Sequence, residues 1–261
     1  MSDSRWDEAA ARAHVEQRLG IGTVGAQRLT GGLLNHVHRV WISDAKGSVV
    51  VKHAPPHVAS APGIPLDPGR SGFEAVALRW LETRSDSPVR TPRLIDVRPG
   101  VLILEDLGDH ADLAAWLSNG GETGVVERLG QWIRALHAEP SAPSSWNFAV
   151  QQTRLEVQYG PVGDWLAVCG VPDAAELGAR ARDLGRRLLE KGPDFVMGDL
   201  WPASVLVSGD GVLHVIDWEL STRGRPCQDL GHLAAHLWMG AWVGAWAVSY
   251  THLTLPTTPY V

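Results

Sequence analysis

Apolar positions recur with two periods along this chain, and the period changes near residue 105. Residues 4–19 repeat at helical spacing and stop at Gly20, with Ser4 as a candidate cap and Asp7 three residues on. From 26 to 53 the spacing turns to strands. AQRLTGGLLNHVHRVWIS reads as strand, Gly-Gly turn and strand, and GSVVVKHA as a third strand whose last apolar residue precedes Lys52. The Pro-, Gly- and Ala-rich stretch 53–70 predicts a loop. Residues 73–84 return to helical spacing, with Phe73, Val76, Ala77, Trp80 and Leu81 on one face. RLIDVRPGVLILEDL, 93–107, predicts a hairpin turning at Pro99-Gly100. Beyond it, residues 112–118, 122–138 and 173–191 predict helices, 205–216 a short β region, and 228–248 one long Trp-rich helix.

The expected architecture is α+β. A small antiparallel sheet with one helix occupies 1–105, and a mainly helical part occupies 106–248. SYTHLTLPTTPYV, 249–261, has no acidic or basic residue, and its Thr/Pro content breaks the preceding helix. It is expected to be an extended end with no place in the core, and its membership of the natural gene product is left open.

Composition narrows the function classes. The apolar share of 44% supports a sizeable core. A net charge of −6 disfavours a nucleic-acid or anionic-membrane partner, which needs a basic surface. Cys169 and Cys227 lack metal-type spacing, and two cysteines make no disulfide framework. The N-terminus has no apolar signal-peptide core, and no run approaches the ~18 apolar residues of a membrane span. A cytoplasmic location is expected.

The candidate chemistry lies in four residues. Lys52 ends a strand, Glu74 sits on a helix, and Asp199 and Asp217 stand in VMGDLWPASVLV and HVIDWELS. Phosphoryl transfer needs positioning and charge neutralisation more than covalent help. A strand lysine can hold nucleotide phosphates, a helix glutamate can fix that lysine, one aspartate can accept a hydroxyl proton, and another can hold Mg²⁺.

These motifs resemble the aminoglycoside phosphotransferase and choline kinase-like families, which share the protein-kinase-like fold. The resemblance covers about residues 26–240. It implies a two-lobed fold: a nucleotide-binding lobe over 1–105, and a helical lobe over 106–248 with the catalytic loop and metal motif. It implies transfer of the γ-phosphate of ATP (or GTP) to a small-molecule hydroxyl. By the resemblance, Asp199 matches the catalytic aspartate, Asp217 the Mg²⁺ ligand, Lys52 the strand lysine and Glu74 its helix partner. LTGGLLNHVHRV, with Thr30, Gly31, Gly32 and Asn35, resembles the loop over the phosphates. LILEDLG resembles the hinge strand, where the backbone from Glu105 to Leu107 would meet adenine. LGQWIRALHAEP resembles the helix preceding the catalytic loop.

Two positions depart from the family pattern. Its His before Gly-Asp is Met197 here, and its metal-contacting Asn five after the Asp is Ser204, a shorter and weaker ligand. Family members also continue with further helices, so truncation or a foreign C-terminal end is expected. An impaired pseudokinase, or an inactive fragment that at most binds nucleotide, is the alternative. The acceptor, the choice of ATP or GTP and the oligomeric state are not legible.

Other features read as structural. His36 and His38 alternate on a strand, expected to be a solvated face. His232 and His236 stand four apart without the glutamate of zinc-protease motifs, and are expected to be core or surface residues. Trp238, Trp242 and Trp246 make an apolar helix stripe, expected to be core unless covering helices are missing. Asp229 resembles a residue that buttresses the second lobe.

Overall fold

The computed structural model describes residues 6–30, 32–43, 47–84 and 87–244. It opens on α1 (Glu8–Leu19). The Asp7 carboxylate caps it by accepting from the Ala10 N–H at 2.9 Å, and Gly20 ends it at φ +67°. Ser4, the other expected cap, lies outside the described residues.

The first half then builds β1 (Thr23–Arg28), β2 (His36–Ile42), β3 (Ser48–His53), β4 (His57–Val58), β5 (Ala61–Pro65), α2 (Arg70–Glu82), β6 (Val89–Arg90), β7 (Leu94–Arg98) and β8 (Val101–Glu105). The main sheet has the order β1-β2-β3-β8-β7, antiparallel throughout. β3 is its central strand, with Lys52 opposite Val37 on one side and Leu102 on the other. Alternation then sorts its residues. Val49 and Val51 pack under α1 with Ala11, Val15, Val40 and Ile103. Lys52 shares a parity with Val50, which packs against the other core.

The second half runs β9 (Ala111–Asp112), α3 (Leu113–Ser118), α4 (Gly124–His137) and α5 (Phe148–Arg154), which continues into a π-helical turn, Leu155–Tyr159. Then come α6 (Val162–Val168), α7 (Ala174–Leu189), β10 (Asp194–Val196), a 3₁₀ turn at Pro202–Ser204, β11 (Val205–Val207), β12 (Leu213–Val215), β13 (Thr222–Gly224) and α8 (Cys227–Trp242). The larger core joins both halves: Leu78, Leu81 and Leu102 pack in one cluster with Leu113, Leu129, Ile133, Phe195, Met197, Trp218 and Leu233. Among the described residues, no helix is long and apolar enough to cross a membrane.

Several expectations are corrected. The stretch 53–70 is not a plain loop; β4 and β5 form a short hairpin in it. On α2 the buried face is Arg70, Ser71, Glu74, Ala75, Ala77, Leu78 and Leu81, while Val76 is exposed. Glu74 therefore faces inward because it sits on the core stripe, one turn before Leu78. Residues 148–168 form helices although their apolar spacing is weak; Trp165 and Val168 stay exposed on α6. His38 is buried, since α1 covers that side of the sheet. On α8, Trp238 and Trp242 are 49% and 76% exposed, so the stripe is not core. Trp246, and the segment 249–261 expected to be extended, lie outside the described residues.

Candidate functional site

Asp199 follows β10 in a loop that the backbone constrains tightly. Gly198 adopts φ +86°, and a Cβ there would lie 2.3 Å from the Leu220 carbonyl oxygen. Only glycine fits that approach without shifting backbone. Side chains from α5 and α8 hold the loop. Asp229, buried on α8, accepts from the Met197 and Gly198 N–H groups at 2.8 Å each and lies 2.9 Å from His137 Nε2. Arg154, buried on α5, donates from Nη2 to the Gly198 carbonyl at 2.6 Å. Met197 thus enters through its backbone, with its side chain in the core. The structural reading of Asp229 fits this geometry.

Asp217 follows β12 at φ +66°, a left-handed conformation that non-glycine residues rarely adopt. The turn is fixed by its neighbour: Trp218 is fully buried, its indole donates to the Val215 carbonyl at 3.1 Å, and its N–H donates to Glu74 Oε1 at 3.3 Å. The Asp217 side chain is left 41% exposed.

Lys52 is where the two halves meet chemically. Its Nζ lies 3.0 Å from Glu74, 2.8 Å from Asp217 Oδ1 and 2.5 Å from Glu219 Oε2. The three carboxylates offer oxygens within 4.8 Å of one another. Glu219 belongs to the Ile-Asp-Trp-Glu motif, yet sequence reasoning assigned it no role. Asn35 ties the β1–β2 connection to the cluster: its amide donates to Glu219 Oε1 at 2.7 Å, and its Oδ1 accepts from Arg70 at 3.0 and 3.2 Å. Arg70, wholly buried, also donates to the carbonyls of Leu34, Pro55 and Asp67. Arg70 was missed too; its signal is its place one helical turn before Glu74, after the Pro/Gly stretch.

The remaining expected residues are placed as follows. Thr30 and Gly32 stand in the β1–β2 connection, both exposed, and Gly31 lies outside the described residues. Asn35 is drawn down to Glu219 rather than left in the loop. Glu105 ends β8, its N–H donating to the Arg93 carbonyl at 2.9 Å, and Leu107 is half-buried. Between them Asp106 accepts from Arg39 Nε and from Ser48 Oγ, each at 2.5 Å, which anchors this segment to β2 and β3. Ser204 adjoins the segment that leads into Asp217, its carbonyl accepting from the Ile216 N–H at 2.9 Å. It is 0% exposed, and its Oγ donates to the Trp201 carbonyl at 2.8 Å while accepting from the Trp201 N–H at 3.2 Å. That hydroxyl closes the 3₁₀ turn, with its hydrogen committed to the Trp201 carbonyl. A surface cavity lined by Thr83, Pro88, Arg128, Trp132 and Leu136 includes none of these residues.

Electrostatics follow from three carboxylates around one ammonium. Burial, with the charges of Glu219 and Asp217 against the opposing pull of Lys52, pushes Glu74 up to about 8. Burial pushes Glu219 up as well, and Lys52 stays protonated because its carboxylate partners outweigh its own desolvation. Asp199 is raised, first by burial and against the pull of Arg154. Fully ionised, three carboxylates would outnumber the one ammonium; the raised Glu74 and Glu219 relieve that surplus by taking protons, and a bound cation would relieve it instead.

A pH dependence follows. Between its ordinary value of 4.5 and about 8, Glu74 holds a proton in the folded state that the unfolded chain has lost. Folding stability therefore falls as pH rises through that window, by up to about 1.4 kcal/mol per pH unit for one proton. Glu219 and Asp199 act in the same direction. Urea unfolding of the nucleotide-free protein should show a lower midpoint at pH 8 than at pH 6. A midpoint that rises over that interval would contradict the cluster's charge state.

Comparison with known proteins places this geometry. Residues 25–260 match the model of the phosphotransferase enzyme family (APH). A 4-hydroxytryptamine kinase of Psilocybe cyanescens is 25% identical over 244 residues, covering 82% of this chain and 67% of that protein. The phosphotransferase FrzJ of a Cladobotryum species is 26% identical over 265 residues, covering 81% and 68%. Among solved structures, a choline/ethanolamine kinase family protein of Mesorhizobium loti superposes with a TM-score of 0.58 at 22% identity, covering 92% of this chain and 77% of that one. The macrolide 2'-phosphotransferase of Brachybacterium faecium gives a TM-score of 0.53 at 17% identity, covering 92% and 84%. The shared fold is that of protein-kinase-like small-molecule phosphotransferases.

Proposed function

This chain belongs to the phosphotransferase enzyme family, and on that premise we propose that it moves the γ-phosphoryl group of ATP (or GTP) to a hydroxyl of a small molecule. The observation that carries the reading is the Lys52 cluster. A buried ammonium from the central strand meets one carboxylate from α2 and two from the segment after β12.

Hard carboxylate oxygens in a surplus of negative charge suit Mg²⁺. Asp217, more exposed than the other two acids, would hold the ion, with Glu219 beside it. The ion would supply neutralisation of the phosphate oxygens. Lys52, steered by Glu74, would hold the α- and β-phosphates. The backbone of Glu105 to Leu107 would meet the base, and the β1–β2 connection with Thr30 and Gly32 would cover the phosphates. Asp199 would orient the acceptor hydroxyl and take its proton. The names of the relatives support a small hydroxyl-bearing acceptor and narrow it no further.

The test is a thermal-unfolding titration with Mg·ATP. A ligand that binds only the native state adds about 2.7 kcal/mol at a hundred times its Kd. A Mg-dependent rise in Tm is expected in the wild type and lost in Asp217→Ala. No shift in a cooperatively folded wild type would remove the nucleotide from the reading.

One observation favours the impaired-enzyme alternative: Ser204 is buried in its own turn, where the family has a metal-contacting Asn. Acceptor-dependent ADP formation separates the two. A nucleotide-dependent Tm shift without any ADP would select the non-catalytic binder.

A further inference from the structure

Asp199 is approached from α8 by two histidines one helical turn apart. His232 Nδ1 lies 3.5 Å from Asp199 Oδ1, and His232 Nε2 lies 3.2 Å from His236 Nε2. The four-residue spacing sets the rings on one face, edge to face with centroids 4.9 Å apart. His236 also packs beside Trp201, two residues after Asp199, at a centroid distance of 5.5 Å. Loop and helix therefore touch twice, once through the aspartate and once through the tryptophan.

Two ring nitrogens 3.2 Å apart share a single hydrogen, so one donates and one accepts. The carboxylate decides which. Ionised Asp199 only accepts, so His232 must donate from Nδ1. Its Nε2 is then a bare lone pair, and His236 must donate from Nε2. The two rings are thereby assigned opposite tautomers. The 3.5 Å approach is long for a hydrogen bond, as such contacts are before substrate fills a site.

We propose that His232 and His236 are positioning residues for Asp199: the pair occupies Oδ1 and turns Oδ2 toward the acceptor hydroxyl. This rests on the reading of Asp199 as the proton acceptor. In the transfer, the acceptor O–H bond breaks and its proton goes to Oδ2. The acceptor oxygen bonds to the γ-phosphorus, and the bond from that phosphorus to the bridging oxygen breaks, with its electron pair on the departing nucleoside diphosphate. Arg154 anchors the same loop through the Gly198 carbonyl.

Burial, helped by neighbouring positive charge, keeps the pair neutral near pH 7. His232 is lowered by burial and by Arg154, with Asp229 on its own helix opposing. His236 is lowered by burial and by His232, with Asp199 opposing. Asp199 in turn faces Arg154, Asp217, Asp229 and His236, and Tyr159 feels its charge. A proton added to both rings would set two N–H groups face to face and break the pair, so the positioning fails at acid pH.

Imidazole ¹H–¹⁵N NMR of the full chain without nucleotide tests the assignment. His232 should appear as the Nδ1–H tautomer and His236 as Nε2–H, and Asp199→Ala should release His232 from its tautomer. The same tautomer in both rings, or a His232 signal indifferent to Asp199→Ala, overturns the pair. Kinetics give a second readout, as ADP release from Mg·ATP with water as the acceptor. His232→Ala should lower kcat about tenfold with the KM for Mg·ATP unchanged. His232→Asn, whose amide nitrogen stands where Nδ1 stood, should restore most of kcat and flatten the acidic limb of the pH profile. An unchanged kcat and pH profile in His232→Ala overturns the positioning role. Equal ADP release by wild type and Asp199→Ala would instead remove Asp199 as the base, while the tautomers still report on the pair.

Discussion

Asp199→Asn is expected to lower acceptor-dependent ADP formation by about 10²–10⁴-fold, the range that a positioned general base contributes. The substitution keeps the shape of the side chain and removes its capacity to take a proton. It leaves the loop intact, because the loop is held by Asp229 and Arg154 through the backbone of Met197 and Gly198 rather than through the Asp199 carboxylate. Lys52, Glu74, Asp217 and Glu219 are untouched, so the Mg·ATP-dependent rise in Tm should survive. The pair of readouts makes the test sharp. Loss of turnover together with loss of the Tm shift would mean that the variant damaged the nucleotide site. Undiminished turnover would end the proposed role. Burial raises Asp199, and Arg154 pulls against that rise. An aspartate lifted from its ordinary range is a stronger base in its ionised form, which suits proton abstraction near neutral pH.

Lys52→Met should have the largest effect on stability. Methionine fills much of the lysine stem's space, so packing changes little. What goes is the single ammonium among Glu74, Asp217 and Glu219. Breaking a buried ion pair from one side typically costs about 3–5 kcal/mol. At about 2–4 °C per kcal/mol for a chain of this size, Tm should drop by roughly 10 °C. The drop should be larger at pH 8 than at pH 5.5, because protonation of Glu74 and Glu219 relieves the stranded charge. Adding Glu219→Gln to the variant should recover part of the loss, and calorimetry of the four-member cycle measures the coupling. Glu219 also accepts from Asn35, which an amide oxygen can still do. A cycle with no coupling would mean that Lys52 and Glu219 do not share the interaction their geometry describes.

The strand lysine shows what a sequence can carry. VVVK places a charge at the end of an apolar strand, and the strand pattern holds because β3 is the central strand of its sheet. The hairpin at Pro99-Gly100 was legible for a local reason: Gly100 turns at φ +78°, which the dipeptide permits. Asp199 and Asp217 stood out through short motifs whose glycine and tryptophan serve the turns that aim them. Glu74 was found by its place in the motif order, although the helix face was misread. The expected stripe of Phe73, Val76, Ala77, Trp80 and Leu81 holds at Ala77 and Leu81, with Trp80 packed beside them, whereas Val76 is exposed and the core takes Ala75 and Leu78. Small residues let α2 approach the sheet closely, and bulk alone does not report that.

Arg154 and His232 reach the Asp199 loop from 44 and 33 positions away along the chain. No local period announces such contacts. The same holds for Ser204, whose hydroxyl is claimed by its own turn, and for Trp238 and Trp242, exposed because nothing among the described residues covers that side of α8. By itself, the sequence determined the fold class, most of the elements and the four charged residues that the resemblance singled out, since local period and short motifs write these along the chain. Tertiary structure alone decided that Lys52 meets three carboxylates instead of one, and that two histidines face Asp199. Those facts depend on where packing sets separate elements side by side, and Coulomb interactions and hydrogen bonds act across that space rather than along the chain.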